Sequence, residues 1–146
     1  MSIPAGEESG VAVIRYLLAN AAAVTAVVPA ARIMAGDLPL NTSMPAIAVT
    51  QIDSIPYNAI RTNESPKLHT DRVQVTVFRK ASPDDAGYPG LKSLLSLVLA
   101  ACPSQRGSVN GISVDSIVPD IEGPDLPIPE LSLFTRSRDF LVRFSA

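Results

Sequence analysis

The stretch TDRVQVTVFRKASPDDAGYPGLKSLLSLVLAAC, residues 70–102, changes its hydrophobic period halfway along. In its first part Val73, Val75 and Val77 alternate with Arg72, Gln74 and Thr76, the period of a strand with one buried face. In its second part Leu91, Leu94, Leu95, Val98 and Cys102 recur at i, i+3, i+4, i+7 and i+11, which is one stripe of an α-helix. The simplest packing lays the leucine stripe on the valine face. The rest of the chain then has to complete the sheet and cover the helix.

At 146 residues the chain has the length of one domain, with enough interior to fold unaided. Charged residues make up 18% of it, below the roughly 25% of ordinary soluble domains. A partner covering part of the surface would account for this, as would an alanine-rich chain with proline-filled loops. The 13 prolines are about twice average usage and cluster in connections, which makes those connections stiff. A net charge of −2 gives no electrostatic case for a dedicated nucleic-acid binder. A single cysteine makes no internal disulfide, so an oxidising compartment is not implied. The opening MSIPAGEE has no basic region followed by an apolar one and does not read as a secretory signal. The most apolar run, residues 21–31, is interrupted by Pro29 and is too short to span a bilayer. Together these features read as a soluble, cytoplasmic protein without a membrane partner.

Working outward, Val11, Ile14, Leu17, Leu18 and Ala21 form a helical stripe. Glu7 and Glu8 stand near its start, where the helix dipole favours acids. Asn20 either ends this helix or turns it into 21–28, and Pro29 stops what precedes it. Residues 32–34 make a short extended piece at best. Residues 46–53 read as a strand apolar on both faces, hence central or partly covered by a neighbour, and antiparallel to 70–79. The pattern vanishes over 54–69, which reads as a long loop. Ser82 before Pro83, Asp84 and Asp85 predicts an N-cap in the manner of a capping box. Pro89 then kinks the helix, or the main helix starts near Tyr88. Asn110-Gly111 predicts a tight turn near the start of a strand over 109–118. Residues 119–129 read as a rigid acidic loop and 132–144 as the last strand. In that strand Arg136, Arg138, Phe140, Val142 and Phe144 share one face. The order fits one domain over 1–146 of the α+β class: a mainly antiparallel four-stranded sheet with helices packed on one face.

Nothing in the sequence asks for catalysis. His69 is the sole histidine and has no second ligand at metal-site spacing; it reads as a solvated loop residue. Cys102 lies at a helix C-terminus, where the dipole disfavours a thiolate, so it reads as a buried structural thiol. Asp84 and Asp85 are neighbours that would not face one another on a helix. There is no phosphate loop, no nucleophile elbow and no Cys-x-x-Cys. The expectation is no catalytic residue, no cofactor and no metal.

The arrangement resembles a known family, the tail-completion or tail-terminator proteins of long-tailed bacteriophages and phage-derived particles. The resemblance is carried by the amphipathic first helix followed by AAVTAVV (22–28) and Arg32-Ile33, then MPAIAV (44–49). It continues with RVQVTVF (72–78) leading into the leucine-rich helix, and LFTRSRDFLV (133–142) closes it. Residues 119–129 depart from the usual pattern. The resemblance implies a structural virion protein that forms a ring, usually of six subunits, at the head-proximal end of the tail. Such a ring ends tail-tube polymerisation and presents the surface on which the capsid neck docks. Its implied partners are further copies of itself, the tail-tube protein and the neck or stopper protein, and DNA passes through its channel without specific binding. Two other classes stay open: another head-to-tail connector component, and a small non-enzymatic ligand-binding or regulatory module.

Assembly contacts are expected from two segments. Over 54–69 the candidates are Tyr57, Ile60, Arg61, Lys67 and Leu68, in a segment with apolar groups that a solvated loop does not need. Over 119–130 they are Asp120, Glu122, Asp125 and Glu130, on a backbone stiffened by prolines, which loses less entropy on docking.

Overall fold

The computed structural model describes residues 9–36, 38–39, 42–57, 68–82, 85–103 and 107–145, with the backbone alone for 56–57, 81–82, 85–88 and 130. In chain order the elements are α1 (Gly10–Ala19), α2 (Ala22–Thr25), β1 (Ile33–Ala35), β2 (Ala46–Tyr57), β3 (Leu68–Ser82), β4 (Asp85–Ala86), α3 (Gly87–Ala101), β5 (Gly107–Val109), β6 (Ile112–Glu122), β7 (Leu126–Ile128) and β8 (Leu133–Ser145). The strands form one sheet in the order β1-β2-β3-β8-β6-β5, with β4 added to β3 and β7 to β8. β1 runs parallel to β2; the other pairs are antiparallel.

The valine alternation lies at the centre of this sheet. Val77 stands opposite Ile47 and Val75 opposite Val49, while Val73 stands opposite Phe140 and Asp71 opposite Val142. These apolar side chains are buried together with Val13, Ile14 and Leu18 of α1 and Leu91, Leu94, Leu95 and Val98 of α3. The whole leucine stripe is thus in the core, Cys102 included. Fully burying one such side chain contributes roughly 1.5–3 kcal/mol.

The expected α+β domain with a four-stranded, mainly antiparallel sheet and helices packed on it is overturned. The chain is mostly strand, curled into a single mixed half-barrel sheet. The extra strands come from segments read as connections. Residues 33–35, overlapping the short extended piece expected at most over 32–34, add the parallel edge β1. Residues 54–57 and 68–69, expected in a loop, extend β2 and β3. Residues 119–122 and 126–128, expected as a rigid loop, lie in β6 and β7. The physical reason is shared. Residues 51–55 are all exposed, so no buried face imposes an alternation. Pro56, Pro119 and Pro127 lie in strand stretches paired on one side only among the described residues, where a missing N–H is tolerated.

Local signals fared unevenly. Asn110 and Gly111 both have positive φ, 48° and 86°, as a tight hairpin turn requires, and they join β5 to β6. The capping box at Ser82 does not cap: Ser82 pairs with Asp85 in the β3–β4 ladder, and α3 begins at Gly87 with Pro89 in its first turn, where proline is tolerated. Pro83 and Asp84 lie outside the described residues. α1 is capped by Ser9, whose Oγ accepts from the Ala12 amide at 3.2 Å; Glu7 and Glu8 lie outside the described residues. Asn20 ends α1, and the short α2 follows.

Candidate assembly surface

Because one face of β2, β3 and β8 is filled by the helices, the opposite face is left for contacts. Its middle is a charge network. Arg72 Nη1 lies 2.6 Å from Asp120 Oδ2 and 3.2 Å from Asp139 Oδ2. Gln74 Nε2 donates to Asp139 Oδ1 at 3.4 Å. The Asp120 carboxylate, then that of Asp139, pushes the Arg72 pKa up, so this guanidinium stays charged at any working pH. Asp53 sits opposite Arg72 in the β2–β3 ladder.

A second network holds the acidic segment. Arg136 Nη1 is 2.9 Å from Asp125 Oδ1, and its Nη2 is 3.2 Å from Glu122 Oε2; Arg138 Nη1 lies 4.0 Å from the same Glu122 oxygen. The backbone follows the same course. Gly123 N donates to Ser137 O at 2.8 Å, and Thr135 Oγ1 donates to Leu126 O at 2.8 Å. Asp120, Glu122 and Asp125 therefore answer arginines of their own chain, so the segment is a strap pinned along the edge of β8 that faces away from β3. The sequence showed the acids but not their partners, because pairing them needs the register of β8 with β6 and β3.

The remaining candidates are dispersed. Leu68 starts β3 opposite Tyr57 and Ser145, and Tyr57 ends β2 with only its backbone described. Ile60, Arg61 and Lys67 lie outside the described residues. Glu130 lies in the 3-10 turn Pro129–Leu131, again with only its backbone described. His69 is not a solvated loop residue: it stands in β3 opposite Phe144, with ring centroids 5.5 Å apart and planes at 22°. Burial pushes the Cys102 thiol up to about 12, which leaves it protonated and inert at neutral pH. Among the described residues no group of three or more His, Cys, Asp or Glu is placed to hold a metal ion. Nor is any helix long and apolar enough to cross a membrane.

Two apolar features stand out, and the sequence pointed only to the first, through the apolar groups of 54–69. One is the arm formed by the outer half of β2, where Ile52 and Ile55 are 51% and 57% exposed. The other is an open groove of about 580 Å³ at the far end of the sheet, lined by Leu38, Met44, Phe78, Ile128, Leu131 and Leu133, with Lys80 the one charged residue among its described lining. Its parts come from three separate stretches of chain, 38–44, 78–80 and 128–133, which no local pattern links.

No protein-family model matches the sequence. No curated protein matches it in sequence. Among solved structures the chain is similar to one from the virion of a native gene transfer agent particle, with a TM-score of 0.73 and 12% identity over 94% of this chain and 96% of that one. At that identity the likeness establishes a shared fold along nearly the full length of both chains.

Proposed function

We propose that the chain is a structural protein of a phage-type virion that forms a ring at the head-proximal end of the tail. The ring ends tail-tube growth and offers the docking surface for the capsid neck. The observation that carries this reading is the fold shared, over 94% of this chain, with a chain of a gene transfer agent virion. The family resemblance of the sequence supplies the finer position, the six-fold ring and the partners, namely the tube protein and the neck protein. A net charge of −2 suits a channel through which DNA slides, since few phosphates would be neutralised. The buried, protonated Cys102 and the stacked His69 take up the two side chains that would first invite a catalytic reading.

The test is deletion of this chain from a genome that produces its particles, followed by electron microscopy. The expected result is filled heads unattached to tails, with tails longer than normal. Normal particles overturn the proposal. Unattached heads beside tails of normal length would place the chain among the other head-to-tail connectors.

A further inference from the structure

We infer that residues 121–128 are a releasable strap, and that β8 beneath it carries a conditional sheet edge, covered while the strap is down and exposed when it lifts. None of the side chains from 121 to 129 is buried. The described anchors of the segment are polar: Glu122 and Asp125 on Arg136, the Gly123 amide on Ser137 O, Leu126 O on Thr135 Oγ1, and the three-residue pairing of Leu126–Ile128 with β8. Pro127, in the middle of that pairing, has no N–H to give. A segment with no buried side chain and with partly exposed ion pairs opens on its own, well before the core does. The closed strap is also an incomplete fit. Arg136 Nε and Arg138 Nε are buried where it meets β8, and neither finds an acceptor among the described residues. Buried donors are nearly always paired, so closure leaves two groups short that lifting returns to water.

The strap has a place to bend at each end. β6 shifts register against β8 between Pro119 and Glu122. Ser132, which follows the 3-10 turn Pro129–Leu131, has a φ of 54°, uncommon for a residue other than glycine. What lifting uncovers is fixed. β3 pairs with β8 residue by residue from Leu133 to Ser145, so β8 cannot follow the strap away. The side of 133–138 that faces the strap then becomes a row of unpaired backbone groups. Such a row is a template for unwanted strand pairing, which the closed strap prevents. This opening belongs to the isolated chain and does not depend on its place in a virion.

The experiment is amide hydrogen exchange of the full chain in urea below its unfolding midpoint. It compares the parent, Arg136→Gln, and Gly123→Cys combined with Ser137→Cys. A Cβ on Gly123 would lie 3.9 Å from Ser137 Cβ, within the roughly 3.5–4.5 Å span of a disulfide. Gly123 does not have the positive φ that would strain a side chain. Oxidation therefore ties the strap down, with the reduced form as control; the buried Cys102 stays. In the parent, the amides of 121–128 and those of 133–138 that face the strap should exchange together. Both groups should be at least about ten-fold faster than Val73, Val75 and Val77, with little dependence on urea. Arg136→Gln should speed both groups. Oxidation of the double-cysteine chain should slow both, and reductant should restore them. Strap amides that exchange only with the valines overturn the proposal. So do strap amides that are fast while the β8 amides stay as slow as the valines, which is fraying without uncovering. Unchanged rates in Arg136→Gln overturn it as well, and so does an oxidised chain whose strap exchanges as fast as the reduced one. The first three results need no disulfide and decide the matter if the bridge fails to form.

Discussion

The carboxylate of Asp71, buried in the middle of the sheet, accepts a hydrogen bond from the backbone amide of Gly10 at 2.8 Å. One strand residue thereby seats the first turn of α1 on the sheet and satisfies an amide that the helix itself leaves unpaired. A Cβ on Gly10 would lie 2.7 Å from Asp71 Cβ and 2.9 Å from Val73 Cγ2. In a free helix glycine to alanine gains about 1 kcal/mol; here the sign reverses, because α1 has to lift. Gly10→Ala should lose about 1–3 kcal/mol, as overpacking does, and Asp71→Ala a similar amount for the stranded amide. Urea denaturation reads both. A Gly10→Ala protein as stable as the parent would show that the seat is loose.

The leucine stripe makes a sharper contrast within one helix. Leu94 and Leu95 are buried, whereas Leu99 is an exposed large hydrophobic. Leu94→Ala and Leu95→Ala should each cost about 2–5 kcal/mol, and Leu99→Ala no more than about half a kcal/mol. Equal losses at Leu94 and Leu99 by the same denaturation measurement would mean that the helix is rotated from this placement.

Where a residue's burial and its sequence period agree, the fold could be read in advance. Val73, Val75 and Val77 announced a strand, and Leu91, Leu94, Leu95 and Val98 a helix, because each set has one dry face. The Asn110-Gly111 turn was legible for a different reason, since only a few residues tolerate two positive φ angles in succession. Strand extent was not legible. Residues 51–55 are wet on both faces, and β1 is three residues long, so neither leaves a period to detect. The sheet was therefore expected with half its strands. The candidate surface suffered most, because Arg72–Asp120 and Arg136–Asp125 are pairs across strands, and the groove gathers Met44, Phe78 and Leu133 through register alone. Ser82 shows the opposite error: a local capping signal was outcompeted by ladder pairing with Asp85.

The Cys102 thiol links stability to alkaline pH. Burial raises its pKa from 9.0 to about 12, so the folded state keeps the proton longer than the unfolded chain does. Its contribution is whole below about pH 9 and is lost as pH climbs towards 12, at about 1.4 kcal/mol per pH unit. Other groups also titrate there, so the comparison is with Cys102→Ala. The parent's advantage over that variant should narrow by up to about 2 kcal/mol between pH 7.5 and 10.5. A constant gap across that range in urea titrations would mean that the thiol ionises in the folded protein. Alkylation of the native protein at neutral pH should be slow for the same reason.

The strap along β8 decides how the acidic segment can be probed. Arg136 contacts Glu122 on one side of the bend and Asp125 on the other, so a single guanidinium ties β6 to β7. Arg136→Gln should leave the valine core untouched and speed amide hydrogen exchange across residues 121–128, most at Gly123, whose amide donates to Ser137. Added salt should reproduce part of the effect in the parent chain, because partly exposed pairs are screened. Unchanged exchange at 121–128 would show that the ladder of Leu126, Pro127 and Ile128 with β8 holds the segment without the charges. The consequence for assembly is direct. Reversing Asp120, Glu122 and Asp125 to lysine would set like charges against Arg72, Arg136 and Arg138, so lost docking in that variant would report a loosened strap. Ile121 lies among these acids, is 63% exposed and takes no part in either network. Ile121→Ser should keep the parent's exchange pattern, and faster exchange at 121–128 in that variant would mean that Ile121 helps to hold the strap.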